Sequence, residues 1–305
     1  MSSQRVTVTG ATGLLGAPLV AALLARGAEV TVLSRDPGRA RQRLGEVQAL
    51  HWDPLAEAAP AEALQGRDAV LHLAGEPVAQ RWSARAKQAI RDSRVIGTRN
   101  LVGALGALPA PVPVLISSSA IGIYGSRGEE PLDEEAPAGR GFLAEVCQEW
   151  EQEADRAAEL GVRVVCVRTG VVLDRGGGAL GRMLVPFRLG VGGPVAGGRQ
   201  YISWIHIADV VGLMLAALDR HEWSGPINAT APDPVTNRDF ARALGRALHR
   251  PALLPVPGLA LGALYGEMAS IITTGARVVP AKPLVLGYEF RHPRLAKALE
   301  AALAS

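Results

Sequence analysis

The sequence is short of several things, and each shortage removes a class of function. Its only cysteines are Cys147 and Cys166, and neither falls in a Cys-x-x-Cys or Cys/His ligand spacing. A disulfide framework and a zinc site are therefore excluded, no metal is expected, and a reducing, cytoplasmic setting fits. Aromatic residues make up 4%, too few for a platform that stacks nucleic-acid bases. Lysine occurs only as Lys87, Lys282 and Lys297, so nearly all the basic charge is arginine. The net charge is +3 and the pI about 9.1. No run of like charge reaches the length of a basic tail, so an arginine-rich solvated surface is expected rather than a nucleic-acid partner. No apolar stretch of about 18 residues is free of charge and proline, so no membrane span, and no membrane partner, is expected. The first residues, Met-Ser-Ser-Gln-Arg, lead directly into a strand-like run, which predicts no signal peptide.

What is present points to a packed α/β chain. Of 305 residues 48% are apolar and 20% charged, with both signs interspersed. That supports a large buried core and argues against disorder or coiled coil. Short apolar runs at 5–9, 29–33, 69–73, 112–117 and 162–167 read as buried strands. Helix-like segments separate them, among them 18–25, stopped by Gly27, and 143–160, where Cys147, Trp150 and Ala154 share a face. Apolar strands alternating with helices predict a doubly wound parallel sheet covered on both faces. After about residue 172 glycine-rich loops and prolines become frequent. This predicts a smaller C-terminal lobe of residues 173–204 and 231–305, beside a main lobe of 1–172 and 205–230.

The first strand runs into Gly10-Ala11-Thr12-Gly13-Leu14-Leu15-Gly16, a G-x-x-G-x-x-G between a strand and a helix. In that context Gly10 permits a tight turn, Gly13 lets the backbone approach a pyrophosphate, and Gly16 lets the helix pack against the sheet. The helix N-terminus offers N–H groups to phosphate. The second strand ends Leu33-Ser34-Arg35. An acid at that place would bind the ribose 2′-hydroxyl of NAD, whereas a hydroxyl and a guanidinium suit the 2′-phosphate of NADP. Arg39 adds a second cation. Asp36, followed by Pro37, fits a helix N-cap better than a ribose ligand. NADP(H) is therefore the expected cofactor.

These residues, with others downstream, resemble the extended short-chain dehydrogenase/reductase superfamily, the group of nucleotide-sugar epimerases, across essentially the whole chain. His72-Leu73-Ala74-Gly75 resembles the loop along the cofactor, and Ser117-Ser118-Ser119-Ala120 with Ile123-Tyr124-Gly125 the element bearing the catalytic serine. Arg94-Val95-Ile96-Gly97-Thr98, Arg168-Thr169-Gly170-Val171 and Trp204-Ile205-His206 match further segments. Ala74-Gly75-Glu76-Pro77, Gly176-Gly177-Gly178-Ala179-Leu180 and Gly287-Tyr288-Glu289-Phe290 match an atypical subgroup called epimerase family proteins, sometimes labelled cell-division inhibitors. The resemblance implies a dinucleotide-binding (Rossmann) lobe holding the cofactor with Gly10, Thr12, Gly13, Leu14, Leu15, Gly16, Ser34, Arg35, Leu73, Ala74, Gly75, Arg99, Ser117, Arg168 and Gly170.

The superfamily's acid/base pair, Tyr-x-x-x-Lys, is missing. The residues four places after Tyr124, Tyr201, Tyr265 and Tyr288 are Gly128, Ile205, Ala269 and His292. Aligned on the helix, Leu143 takes the tyrosine position, Cys147 the lysine and Arg94 the usual asparagine; only the serine survives, as Ser119. The resemblance thus implies catalytic candidates Ser119, Arg94 and Cys147, and substrate candidates Glu76, Tyr124, Trp204 and His206. For each, a packing or solvated role is the alternative. The expected function is an NADP(H)-dependent oxidoreductase or epimerase-like enzyme with non-standard acid/base groups, acting on a small molecule. The alternatives are a catalytically silent NADP(H) sensor and a cell-division interaction protein.

Overall fold

A computed structural model of the protein describes residues 3–304. In chain order the strands are β1 (Arg5–Thr9), β2 (Glu29–Ser34), β3 (Gln48–His51), β4 (Ala69–His72), β5 (Val114–Ala120), β6 (Pro131–Leu132), β7 (Arg163–Thr169), β8 (Val171–Leu173), β9 (Tyr201–Ile202), β10 (Trp204–His206), β11 (Gly225–Ala229), β12 (Val235–Thr236) and β13 (Arg277–Val278). The helices are α1 (Gly16–Ala25), α2 (Pro37–Leu44), α3 (Ala61–Leu64), α4 (Ala84–Gly106), α5 (Phe142–Asp155), α6 (Gly178–Arg188), α7 (Ile207–Asp219), α8 (Asn237–Ala247), α9 (Gly258–Tyr265), α10 (Ser270–Thr273), α11 (Ala281–Val285) and α12 (Leu295–Ala304).

Seven strands form one parallel sheet in the order β11-β7-β5-β4-β1-β2-β3. The order reverses between β1 and β4, where a crevice opens at the carboxyl ends of the strands. Side chains alternate between the two faces. Val6 and Val8 of β1 meet Leu19 and Leu23 of α1 and Leu213 and Met214 of α7 in one core. On the other face, Val70 and Leu115 meet Leu101 and Leu105 of α4 and Ala154 of α5. This is the doubly wound α/β fold expected from the alternating apolar runs. Among the described residues no helix is long and apolar enough to cross a membrane.

A third core joins Leu180 and Leu184 of α6, Phe240 and Leu244 of α8, and Leu295 and Leu299 of α12 around Trp204. It lies in the region expected as the smaller C-terminal lobe. Residues 276–290, expected in that lobe, instead return to the sheet. Ala276 and Val278 pack with Tyr124 and Cys147, and Tyr288 and Phe290 pack on the first core. Two edge strands escape the sequence pattern. β3 reads Gln-Ala-Leu-His and β11 begins Gly-Pro; an edge position tolerates a proline that a central strand would reject. The helix expected over 143–160 is α-helical to Asp155, then tightens into a 3-10 turn that ends at Gly161 in the left-handed region.

Candidate functional site

A cleft of about 430 Å³ lies over the carboxyl ends of β1, β2 and β4. Gly10, Thr12 and Gly13 form its floor; Leu73, Ala74, Gly75 and Glu76 form one wall; Ser34, Arg35, Arg39 and Arg43 close one end. The glycines are there for space. Gly10 has φ +64, and a Cβ on it would lie 2.5 Å from the Leu73 carbonyl oxygen. A Cβ on Gly16 would lie 2.3 Å from the Gly10 oxygen, so Gly16 serves the contact between turn and helix. Leu14 turns toward the loop at Gly177 and Gly178, while Leu15, immediately before α1, packs on the first core. Asp36 caps α2, accepting from Arg39 N at 2.9 Å, with Pro37 at the first helical position. The hydroxyl of Ser34 accepts from Asp36 N at 3.1 Å. This leaves Arg35, Arg39 and Arg43 without an ion-pair partner among the described residues.

His72 ties the cleft wall to its floor. Thr9 Oγ1 accepts from the backbone N–H groups of Leu73 and Ala74, at 3.1 and 3.2 Å, and meets His72 Nδ1 at 2.8 Å. The Thr9 proton therefore goes to Nδ1, and Nε2 donates to Thr98 Oγ1 at 3.0 Å. Burial brings the His72 pKa down to about 4. Between about pH 6.5 and 4 the unfolded chain would bind a proton that the folded chain refuses. Stability supplied by this group is present above pH 6.5 and falls as the pH drops toward 4, by about 3 kcal/mol in all. Denaturant midpoints measured across that window should decline in the parent and much less in His72→Gln; identical slopes would contradict the assignment.

The catalytic candidates lie in a buried polar layer beneath the sheet's carboxyl edge. Arg168 of β7 holds Glu151 of α5 through Nε and Nη2 at 2.9 and 2.8 Å, while Nη1 donates to the Tyr124 hydroxyl at 2.9 Å and the Glu134 carbonyl at 3.1 Å. Ser119 donates to the same Glu151 carboxylate at 2.5 Å. Tyr124 donates to Asn228 Oδ1 at 2.7 Å. Burial raises the Tyr124 pKa and Arg168 opposes it. Cys147 packs against Ile123, Leu132 and Val278, and burial pushes its thiol up to about 12. Leu143 lies against Gly122, where a Cβ would be 3.3 Å from the leucine Cβ. Arg94 donates to the Glu76 and Ile90 carbonyls, both at 3.0 Å, and lies over the Trp150 ring. Burial lowers its pKa.

Several sequence expectations change place as a result. Arg168 and Tyr124 are committed to each other and to Glu151 and Asn228, not to the cleft. Arg99 sits on the outer face of α4, paired with Glu153 at 2.6 Å. Trp204 is wholly buried in the smaller lobe, its Nε1 donating to the Asp233 carbonyl at 3.0 Å. Gly170 is needed for close packing, because a Cβ there would lie 2.3 Å from the Ser203 oxygen. Ser117 is buried and donates to the Ser118 carbonyl. His206 caps α7 through Nδ1, which accepts from Ala208 N at 3.2 Å, and its ring lies 4.0 Å from that of His292. Glu76 does line the cleft, with Gln80 donating to its carboxylate at 3.3 Å. The cleft also includes Arg43 and the Trp52–Leu55 segment, none of them expected. Arg43 was discoverable, since it stands one helical turn after Arg39 on a helix begun by Asp36-Pro37.

A family model described as the NAD dependent epimerase/dehydratase family matches residues 6–229, and a domain of unknown function (DUF1731) matches 256–302. The chain is 40% identical to the chloroplastic SDR39U1 homolog of Arabidopsis thaliana, an epimerase family protein, over 99% of this chain and 87% of that one. It is 35% identical to the epimerase family protein YfhF of Bacillus subtilis, covering 99% and 98%. The crystal structure of human epimerase family protein SDR39U1 (isoform2) with NADPH superposes with a TM-score of 0.87 at 35% identity, over 99% of this chain and 100% of that one.

Proposed function

Because the chain belongs to the NAD dependent epimerase/dehydratase family, we propose that its cleft holds NADP(H) and that it acts as an atypical oxidoreductase or epimerase-like enzyme on a small molecule. The observation that carries the cofactor choice is the end of the cleft, where Ser34, Arg35, Arg39 and Arg43 converge, Asp36 is occupied as a helix cap and Asp53 accepts from Leu55 N at 3.0 Å. Three guanidinium groups without a carboxylate partner suit a 2′-phosphate, which arginine binds with paired, charge-assisted hydrogen bonds. Gly10 and Gly13 leave the floor free of side chains for the pyrophosphate. The NADPH in the human relative supports the same reading. Once bound, the nicotinamide supplies hydride transfer, and the protein supplies position and electrostatics. Calorimetric titration should give tighter binding of NADPH than NADH. Arg35→Ala should cut that preference roughly ten- to a hundredfold, the equivalent of about 1.5–3 kcal/mol. Equal affinities in the parent would overturn the proposal.

A second reading, a catalytically silent NADP(H)-binding protein, is favoured by the packing around Cys147 and Leu143. A leucine takes the tyrosine position, the Tyr124 hydroxyl in the same cluster is committed to Asn228 and Arg168, and a thiol pushed up to about 12 is protonated at neutral pH. General acid–base groups contribute about 10²–10⁴-fold in rate. No epimerisation of UDP-glucose or UDP-galactose is therefore expected from the parent. Cys147→Ala should lose packing energy and leave cofactor affinity intact. The enzyme and the sensor separate when NADPH absorbance is followed after adding a carbonyl library: turnover supports the first, a stoichiometric inert complex the second.

A further inference from the structure

The smaller lobe presents a surface that its own core does not use. Helix α9 reads Gly-Leu-Ala-Leu-Gly-Ala-Leu-Tyr and buries none of its residues; Leu259 is 91% exposed. Leu253, just before it, is 82% exposed, and Leu189, at the end of α6, is 73% exposed. Hydrogen bonds tie the 250–256 segment, which leads into α9, to the end of α6 and the loop after it: Arg250 Nε donates to the Arg188 carbonyl at 3.1 Å, Val256 N to Pro194 O at 2.9 Å, and Ala196 N to Val256 O at 3.0 Å. On α6, Arg182, Val185 and Leu189 recur three and four residues apart and so share a side of the helix.

Two stretches of this lobe carry charge of one sign only. Residues 175–208 contain four arginines and 240–266 three more, and neither stretch contains an aspartate or glutamate. Among the described residues, the exposed Arg182, Arg188, Arg199 and Arg246 have no ion-pair partner.

We infer that this face docks on an anionic lipid surface, with the protruding leucines entering the acyl boundary and the arginines at the level of the phosphates. A contiguous exposed apolar patch marks an interaction surface, and apolar side chains framed by unpaired cations match the chemistry of interfacial membrane binding. A second copy of the chain is a poorer occupant, because an isologous contact would set these arginines against each other. The leucines project rather than line a groove, which suits a deformable medium better than a folded partner. That no helix of the described residues is long and apolar enough to cross a membrane bears on crossing a bilayer and not on lying upon one, so the proposal departs from the sequence-based expectation of no membrane partner.

The test is co-sedimentation of the full chain with vesicles of phosphatidylcholine alone and of phosphatidylcholine mixed with phosphatidylglycerol. The chain should pellet with the mixed vesicles, stay in solution with the neutral ones, and be released as salt is raised. The double variants Leu253→Glu/Leu259→Glu and Arg188→Gln/Arg246→Gln should each lower partitioning by at least about tenfold, with unchanged circular-dichroism melts showing that the fold survives. Failure to pellet, equal pelleting with both vesicle types, or parent-like partitioning of both variants overturns the proposal. So does a concentration-dependent dimer in sedimentation velocity that the leucine variant abolishes, which would assign the face to self-association.

Discussion

Gly13→Val is expected to abolish dinucleotide binding, by at least about a hundredfold or roughly 3 kcal/mol, in a protein that still folds. A Cβ on Gly13 would meet only the Gly10 carbonyl oxygen, at 3.1 Å, and its φ lies outside the left-handed region, so the turn can accept a side chain with small adjustments. The added methyls would instead stand on the cleft floor, where a pyrophosphate needs direct access to backbone N–H groups. Gly10→Ala provides the contrast. There φ is +64 and the new Cβ would lie 2.5 Å from Leu73 O, so the whole β4 loop must shift and stability should fall together with binding. Calorimetry with NADPH, paired with thermal melts, separates the two variants. A folded Gly13→Val protein that binds NADPH as the parent does would place the cofactor somewhere else.

Glu151→Ala should cost about 3–5 kcal/mol of stability, the usual consequence of leaving a buried charge without its partner. Glu151 receives Arg168 in a two-pronged contact and Ser119 as a third donor, and both Arg168 and Glu151 are buried. Removing the carboxylate strands a guanidinium among apolar strands and orphans the Ser119 hydroxyl. Tyr124 and the Glu134 carbonyl stay attached to Arg168, so the damage should spread along β5 and β7 toward the segment carrying Asn228. Glu151→Gln keeps the shape and one acceptor and should cost less. Denaturant unfolding of the two variants measures both values. A loss below about 1 kcal/mol for Glu151→Ala would mean that the pair behaves as a solvated surface bridge.

The contrast between these sites explains what was legible in the sequence. Gly10, Gly13 and Ser34-Arg35 could be placed at one cleft because their setting is local: a turn between a strand and a helix, and the end of the next strand. Asp36-Pro37 was legible for the same reason, since a cap acts within one turn of helix. Ser119, Tyr124 and Arg168 were assigned to a site through family likeness. Their actual partners are Glu151, Asn228 and Glu134, and pairings between residues 17 to 104 positions apart leave no trace in spacing. Cys147 was legible as an apolar-face residue from the helical period alone, but the residues that seal it, Ala276 and Val278, come from the far end of the chain.

The sequence by itself determined the layering of the fold, the place of the glycine-rich turn, the cationic end of the cleft and the absence of the tyrosine–lysine pair, because each follows from short-range periodicity, backbone allowance or residue identity. Only the tertiary structure decided which charged groups are free and which are committed. It placed Arg168 inside an ion pair, Arg99 on an outer face, and Arg35, Arg39 and Arg43 together at the cleft. It also tied the segment that leads into α9 to the end of α6 and the loop after it. These outcomes depend on how crossovers and returning segments bring distant residues within a few ångströms, and a hydrogen bond or a charge contact exists only at that distance.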